Sequence, residues 1–139
     1  MPVESLEEHL SIEGEEDIVL ARQAAREAAR RLGFSMVDQS RIATAVSELT
    51  RNVVRYALER GGDVYLREVR GPAGQVGLEI VVSDQGPGIP DVAAALREGY
   101  STSRGLGLGL PGTRRLMDEM AIDSAPGRGT TVTVRKWRR

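Results

Sequence analysis

Apolar residues recur at helical spacing in two stretches of the first half of the chain. Ala21, Ala25, Ala28 and Leu32 step by three and four. This predicts an amphipathic helix from about Glu16 to Leu32, closed by Gly33. A second helix follows at once. Ser35 and Asp38 stand three apart, as in a capping box with Asp replacing the usual Glu or Gln. Its apolar stripe is Ile42, Ala45, Val46, Leu49, Val53, Tyr56 and Ala57, and Gly61-Gly62 breaks it. Ahead of both helices, Glu8 to Ile12 reads as a short edge strand.

The pattern then changes period. Val64 to Val69 alternates, Val76 to Val82 is more continuously apolar, and Gly71-Pro72-Ala73-Gly74 between them predicts a hairpin turn. A short helix is predicted from Pro90 to Arg97. The small polar run Glu98 to Arg104, with Ser101, Thr102 and Ser103 in a row, reads as a loop. A third clear helix is predicted from Pro111, a favoured first-turn residue, to about Met120. Two last strands, Ala121 to Ser124 and Thr131 to Lys136, flank Pro126-Gly127-Arg128-Gly129. The order predicts an α+β fold: a two-layer α/β sandwich with a mostly antiparallel, mixed sheet and helices on one face. No repeat or linker divides residues 1–139, which read as one domain.

Composition narrows the function classes. At 139 residues the chain can bury a core without staples. Lys plus Arg number 19 and Asp plus Glu 20, a balance that argues against a nucleic-acid-binding function. Cysteine is absent, which removes disulfides, Cys-ligated zinc and thiol nucleophiles together. No apolar run approaches the roughly 20 residues of a membrane span, and no signal peptide opens the chain. A cytoplasmic protein with no membrane partner is the expectation. His9, the only histidine, reads as a surface residue.

Four short segments carry candidate chemistry. Glu48 and Asn52 are four apart on the second helix, so they share one face at the margin of the stripe. Asn offers an oxygen to Mg²⁺, and Glu can take a proton from a hydroxyl. Alone, the pair reads rather as the polar flank of an amphipathic helix. Asp84-Gln85-Gly86-Pro87-Gly88 follows the apolar strand, where a carboxylate suits an exocyclic amino group and two glycines admit close backbone approach. An ordinary turn remains the alternative. In Gly105-Leu106-Gly107-Leu108-Gly109, glycine at every second position ahead of a helix leaves N–H groups bare for an anion. A lid hinge is the structural alternative. Gly127-Arg128-Gly129-Thr130-Thr131 reads as a hairpin turn whose Thr130 hydroxyl can reach a bound base or its water. Gly107, Gly109 and Gly112 also satisfy G-x-G-x-x-G. The polar stretch before them and the short remainder after them exclude a dinucleotide-binding βαβ unit, and no P-loop motif occurs.

In this order the segments resemble the GHKL ATPase superfamily. Glu48-Leu49-Thr50-Arg51-Asn52 is similar to its N box, Asp84 to Gly88 to its first glycine box, Gly105 to Gly109 to its second, and Gly127 to Thr130 to its third. The resemblance covers roughly residues 8 to 136 and implies the Bergerat fold, binding ATP with Mg²⁺. The bare domain resembles the bacterial serine/threonine kinases and anti-sigma factors. The run Gly105 to Met120 is especially similar to RsbT-type switch kinases of stressosome pathways. This implies that Glu48 is the base for a partner's Ser or Thr hydroxyl and that Asn52 ligates Mg²⁺. Asp84 would hold the adenine amino group, Gly86 and Gly88 would shape the base pocket, and Gly105, Leu106, Gly107, Leu108 and Gly109 would wrap the phosphates. Arg104 would add a phosphate contact, although a solvated lid residue is an equal reading, and Thr130 completes the set. The implied partners are a STAS-domain substrate and a PP2C-type phosphatase activated by binding. The alternative is an anti-sigma factor that sequesters a sigma subunit. The basic end Arg135-Lys136-Trp137-Arg138-Arg139 reads as a solvated terminus or a docking surface.

Overall fold

The computed structural model describes residues 6–57, 61–88 and 109–139. Their elements run β1 (Glu7–Ile12), α1 (Glu16–Arg31), α2 (Met36–Tyr56), β2 (Gly62–Arg70), β3 (Val76–Asp84), α3 (Leu110–Leu116), β4 (Glu119–Ser124) and β5 (Thr130–Trp137). The helix expected at Pro90–Arg97 and the loop expected at Glu98–Arg104 lie outside the described residues.

The strands form one sheet in the order β1-β2-β3-β5-β4. Every described pairing is antiparallel, so this part of the sheet is antiparallel rather than mixed. Its register aligns one apolar face. Leu10, Val64, Val82, Val132 and Ile122 stand side by side across the strands, and Leu66, Ile80, Val134 and Met120 form the next row. These residues pack beneath the helices in one continuous core. From α2 the core takes Ile42, Ala45, Val46, Leu49 and Val53, all buried. Each large one contributes about 1.5–3 kcal/mol by leaving water. From α1 it takes Ala21, Ala25, Ala28 and Ala29, small side chains that let the two helices approach closely.

Ser35 caps α2 by accepting the N–H of Asp38 at 3.1 Å. The return half of the expected capping box is replaced by other bonds. The shorter Asp38 side chain turns to Arg41 at 3.0 Å and lies 3.8 Å from Lys136. Tyr56, placed in the apolar stripe by its spacing, is exposed because α2 ends there and the chain turns away at Ala57. Gly62 starts β2, paired with Ile12 and Asp84.

The third helix is shorter than expected, ending at Leu116 instead of near Met120. Met117 already has extended backbone, with φ −111° and ψ 163°. Glu119 and Met120 pair with Arg135 and Val134 as the start of β4. Cross-strand pairing and burial of Met120 override the helical propensity of this stretch.

Candidate nucleotide site

The described residues of the segments singled out above lie at one end of the sandwich, where α2 finishes, β3 finishes and α3 begins. On the rim of α2, Glu48 and Asn52 are both partly buried. Glu48 Oε1 accepts a 2.8 Å hydrogen bond from Arg51, one helical step of three away. Its other oxygen faces the start of α3. A methyl group built on Gly109 would lie 2.5 Å from Glu48 Oε2, and Gly109 has φ +66°. The left-handed backbone favours glycine here, and a side chain would have to push the Glu48 carboxylate aside. The Gly109 carbonyl is held by the N–H and the hydroxyl of Thr113, at 3.0 and 2.9 Å. Thr113 is fully buried, and Leu110 beside it enters the core.

The loop after β3 packs against the end of the same helix. Gly86 lies on Ala57, the residue that caps α2. Asp84 Oδ1 accepts the Gly86 N–H at 2.8 Å, and the Thr130 N–H also donates to this carboxylate. Burial pushes the Asp84 carboxyl above its usual range and outweighs these two donors, which act in the opposite direction. A half-buried carboxylate of this kind gains from a further donor.

The last hairpin closes onto this loop. The Gly127 N–H donates to the Pro87 carbonyl at 2.8 Å, and Gly88, at φ +81°, sits against the Ala125 carbonyl with no room for a side chain. Thr130 pairs with Asp84 in the ladder, and its hydroxyl shares a 2.8 Å hydrogen bond with Ser124.

The described part of the structure therefore brings together Glu48, Asn52 and Gly109 around the α2 rim. Asp84, Gly86, Gly88 and Thr130 gather around the end of β3. Arg104, Gly105, Leu106, Gly107 and Leu108 lie outside the described residues. Sequence reasoning passed over Arg51 and Thr113. Arg51 was legible from its three-residue spacing to Glu48, whereas Thr113 has no local signal, because its role depends on how α3 docks.

The donor set suits an Mg²⁺-bound nucleotide. Among the described residues no three His, Asp or Glu side chains gather to hold a metal ion. A single Asn oxygen at a rim fits the mode in which Mg²⁺ takes one or two protein ligands and completes its shell with phosphates and water. No described helix is long and apolar enough to cross a membrane.

Comparison with known proteins bears on the family and the fold. The family profile of the histidine kinase-like ATPase domain matches residues 14–136. The chain is 50% identical over 123 residues to serine/threonine-protein kinase RsbT of Bacillus subtilis (strain 168), spanning 88% of this chain and 90% of that relative. It is 30% identical over 120 residues to the anti-sigma F factor of Caldanaerobacter subterraneus subsp. tengcongensis, spanning 84% and 82%. Among solved structures, the RsbU and RsbW domains of Rv1364c from Mycobacterium tuberculosis superpose with a TM-score of 0.65 at 19% identity, over 96% of this chain and 33% of that one. Full-length ShkA in complex with AMPPNP gives 0.56 at 18% identity, over 98% and 32%. These two likenesses concern the fold, and the chain spans about a third of each solved chain. The chain belongs to the histidine kinase-like ATPase domain family, in the serine/threonine-protein kinase branch that includes RsbT.

Proposed function

We propose that the chain is an ATP- and Mg²⁺-dependent serine/threonine kinase of a cytoplasmic partner-switching pathway. It phosphorylates a STAS-domain antagonist protein and activates a PP2C-type phosphatase by binding it. The observation that carries this reading is the convergence of Glu48, Gly109 and the Asp84 loop at the end of α2. That convergence supplies a proton acceptor, a glycine-bounded rim for phosphates and a carboxylate for a base within one site.

In this reading Asp84 accepts a hydrogen bond from the adenine amino group, with Gly86, Gly88 and Thr130 shaping the pocket around it. Asn52 is the protein ligand of Mg²⁺, which when bound neutralises phosphate charge. Gly109, with Gly105, Leu106, Gly107, Leu108 and Arg104 before it, faces the phosphates. Glu48 takes the proton of the acceptor Ser or Thr hydroxyl as the γ-phosphoryl passes to that oxygen and ADP departs. Positioning and charge neutralisation do most of such a reaction, and a general base adds about 10²–10⁴-fold.

The test is single-turnover transfer from labelled ATP to a purified STAS-domain partner. Glu48→Ala is expected to keep nucleotide affinity and lose about 10²-fold or more in transfer. Transfer at the wild-type rate removes Glu48 as base. Asn52→Ala should weaken Mg²⁺-dependent ATP binding, and an unchanged titration removes the metal role. The similarity to anti-sigma F factors favours one second reading, in which the same chain sequesters a sigma subunit. Stable co-purification with a sigma factor, in place of a STAS protein or phosphatase, selects it.

A further inference from the structure

The outer face of the sheet ties its two arginines into ion pairs of its own. Glu7, Arg67, Glu79, Arg135 and Glu119 stand side by side across the strands with alternating charge. Arg67 and Arg135 both reach Glu79 at 2.7 Å, and beside them His9 meets Asp63 at 2.7 Å while stacking on Tyr65. Acidic side chains outnumber basic ones on that face, so it does not suit an acidic partner.

The end of the molecule remote from Glu48 is different. Met36 and Val37 open α2, twelve residues and about 18 Å of helix before Glu48. They are 80% and 59% exposed, the most exposed of the large apolar side chains in the described chain. Arginines occur on the segments next to them. Arg26 of α1 reaches Ser40 on the next turn at 3.4 Å, Arg41 follows on the same helix, and Arg31 ends α1. The terminal strand adds Arg138, whose guanidinium donates to the Leu32 carbonyl at 2.8 Å.

Acidic side chains at this end are already committed. Glu27 is paired with Arg30 at 2.5 Å, the mostly buried Asp38 with Arg41, and the mostly buried Asp118 with Arg139. The chain as a whole carries a net charge of −1, so the cationic excess is local. Methionine flanked by arginines is the composition of an interface centre rather than of solvated surface.

We propose that this pole is a docking surface for an acidic, amphipathic segment of a protein partner, remote from the nucleotide site. An apolar side chain of the partner covers Met36 and Val37, and its carboxylates meet Arg26, Arg31, Arg41 and Arg138. Charge complementarity would speed and orient the encounter, while the buried apolar contact would set residence time. The proposal goes beyond the kinase reading and holds whatever the role of Glu48.

The test is a random peptide library displayed on phage, selected on the full chain and counter-selected on the Met36→Glu/Val37→Glu variant. Both positions are exposed, so the variant should keep the wild-type unfolding midpoint. The expected enriched peptides are acidic with apolar residues at helical spacing. The best of them, as a labelled synthetic peptide, should lose at least about 10-fold in affinity for the double variant and for Arg41→Glu. ATP affinity should stay within about twofold. Backbone amide shifts on adding the peptide should centre on Met36, Val37 and Ser40. Enriched peptides without acidic excess, equal binding to the double variant, or shifts centred on Glu48 and Gly109 would each overturn the proposal. So would tighter binding of a DNA duplex than of the peptide, or self-association abolished by the same substitutions.

Discussion

Gly109 concentrates the consequences of a single residue. It joins a left-handed backbone to direct apposition with Glu48, and its carbonyl anchors Thr113. Gly109→Ala places a methyl group against the carboxylate and adds about 1–2 kcal/mol of backbone strain. We expect a comparable loss of stability in urea unfolding, together with a fall in single-turnover transfer beyond what the unfolded fraction explains. Full transfer at saturating ATP would show that Glu48 tolerates displacement and that the apposition is incidental. Arg51 holds the other Glu48 oxygen at 2.8 Å, so moving the carboxylate aside disturbs that bond.

Between elements, Lys136 is the tie that links β5 to the ends of two helices. It is buried, donates to the Leu116 carbonyl at the end of α3 at 2.9 Å, and lies 3.8 Å from Asp38 and 3.9 Å from Asp118. Asp38 and Asp118 keep Arg41 and Arg139 if Lys136 is lost. The cost of Lys136→Met is therefore chiefly the unpaired helix-terminal carbonyl and the lost buried charge contact, about 2 kcal/mol. Hydrogen exchange should quicken most in α3 relative to β3. Uniform change throughout the chain would mean that Lys136 supports the core generally, without any special hold on α3.

At the scale of the whole molecule, pH response follows from carboxylates with opposite environments. Burial alone would raise the Glu79 carboxyl, but hydrogen bonds from Arg135 and Arg67, with their charges, outweigh it and hold it below the usual range. Asp118 is likewise held low, its burial outweighed by the Trp137 N–H and by Arg139 and Lys136. A lowered folded pKa gives stability that is complete above the unfolded value, about 4.3 for Glu. That stability is lost as pH falls through the folded value. Asp84 acts in the reverse sense, since its raised carboxyl costs stability as pH rises through the interval between its unfolded and folded values. Glu79→Gln should cost about 2 kcal/mol at neutral pH, with the difference from wild type shrinking below about pH 4. Urea unfolding across a pH series reads this directly. A difference that does not narrow in acid would show that Glu79 acts through packing and not through its charge.

The sequence by itself determined the local elements and the chemistry they carry. Helical spacing located α1 and α2, alternation located β2, a continuous apolar run located β3, and the Pro126–Gly129 turn marked the last two strands. The spacing of Glu48 and Asn52 placed both on one helix face, because a four-residue step is set by helix geometry alone. Tertiary structure decided what depends on distant partners. The pairing of Met120 with Val134 ended α3 early, and the insertion of β5 between β3 and β4 brought Thr130 beside Asp84. Docking of α3 set Gly109 against Glu48, while the turn between α1 and α2 left Met36 and Val37 uncovered. These outcomes rest on contacts between residues far apart in the chain, whose free energy comes from burial and pairing that no local periodicity encodes.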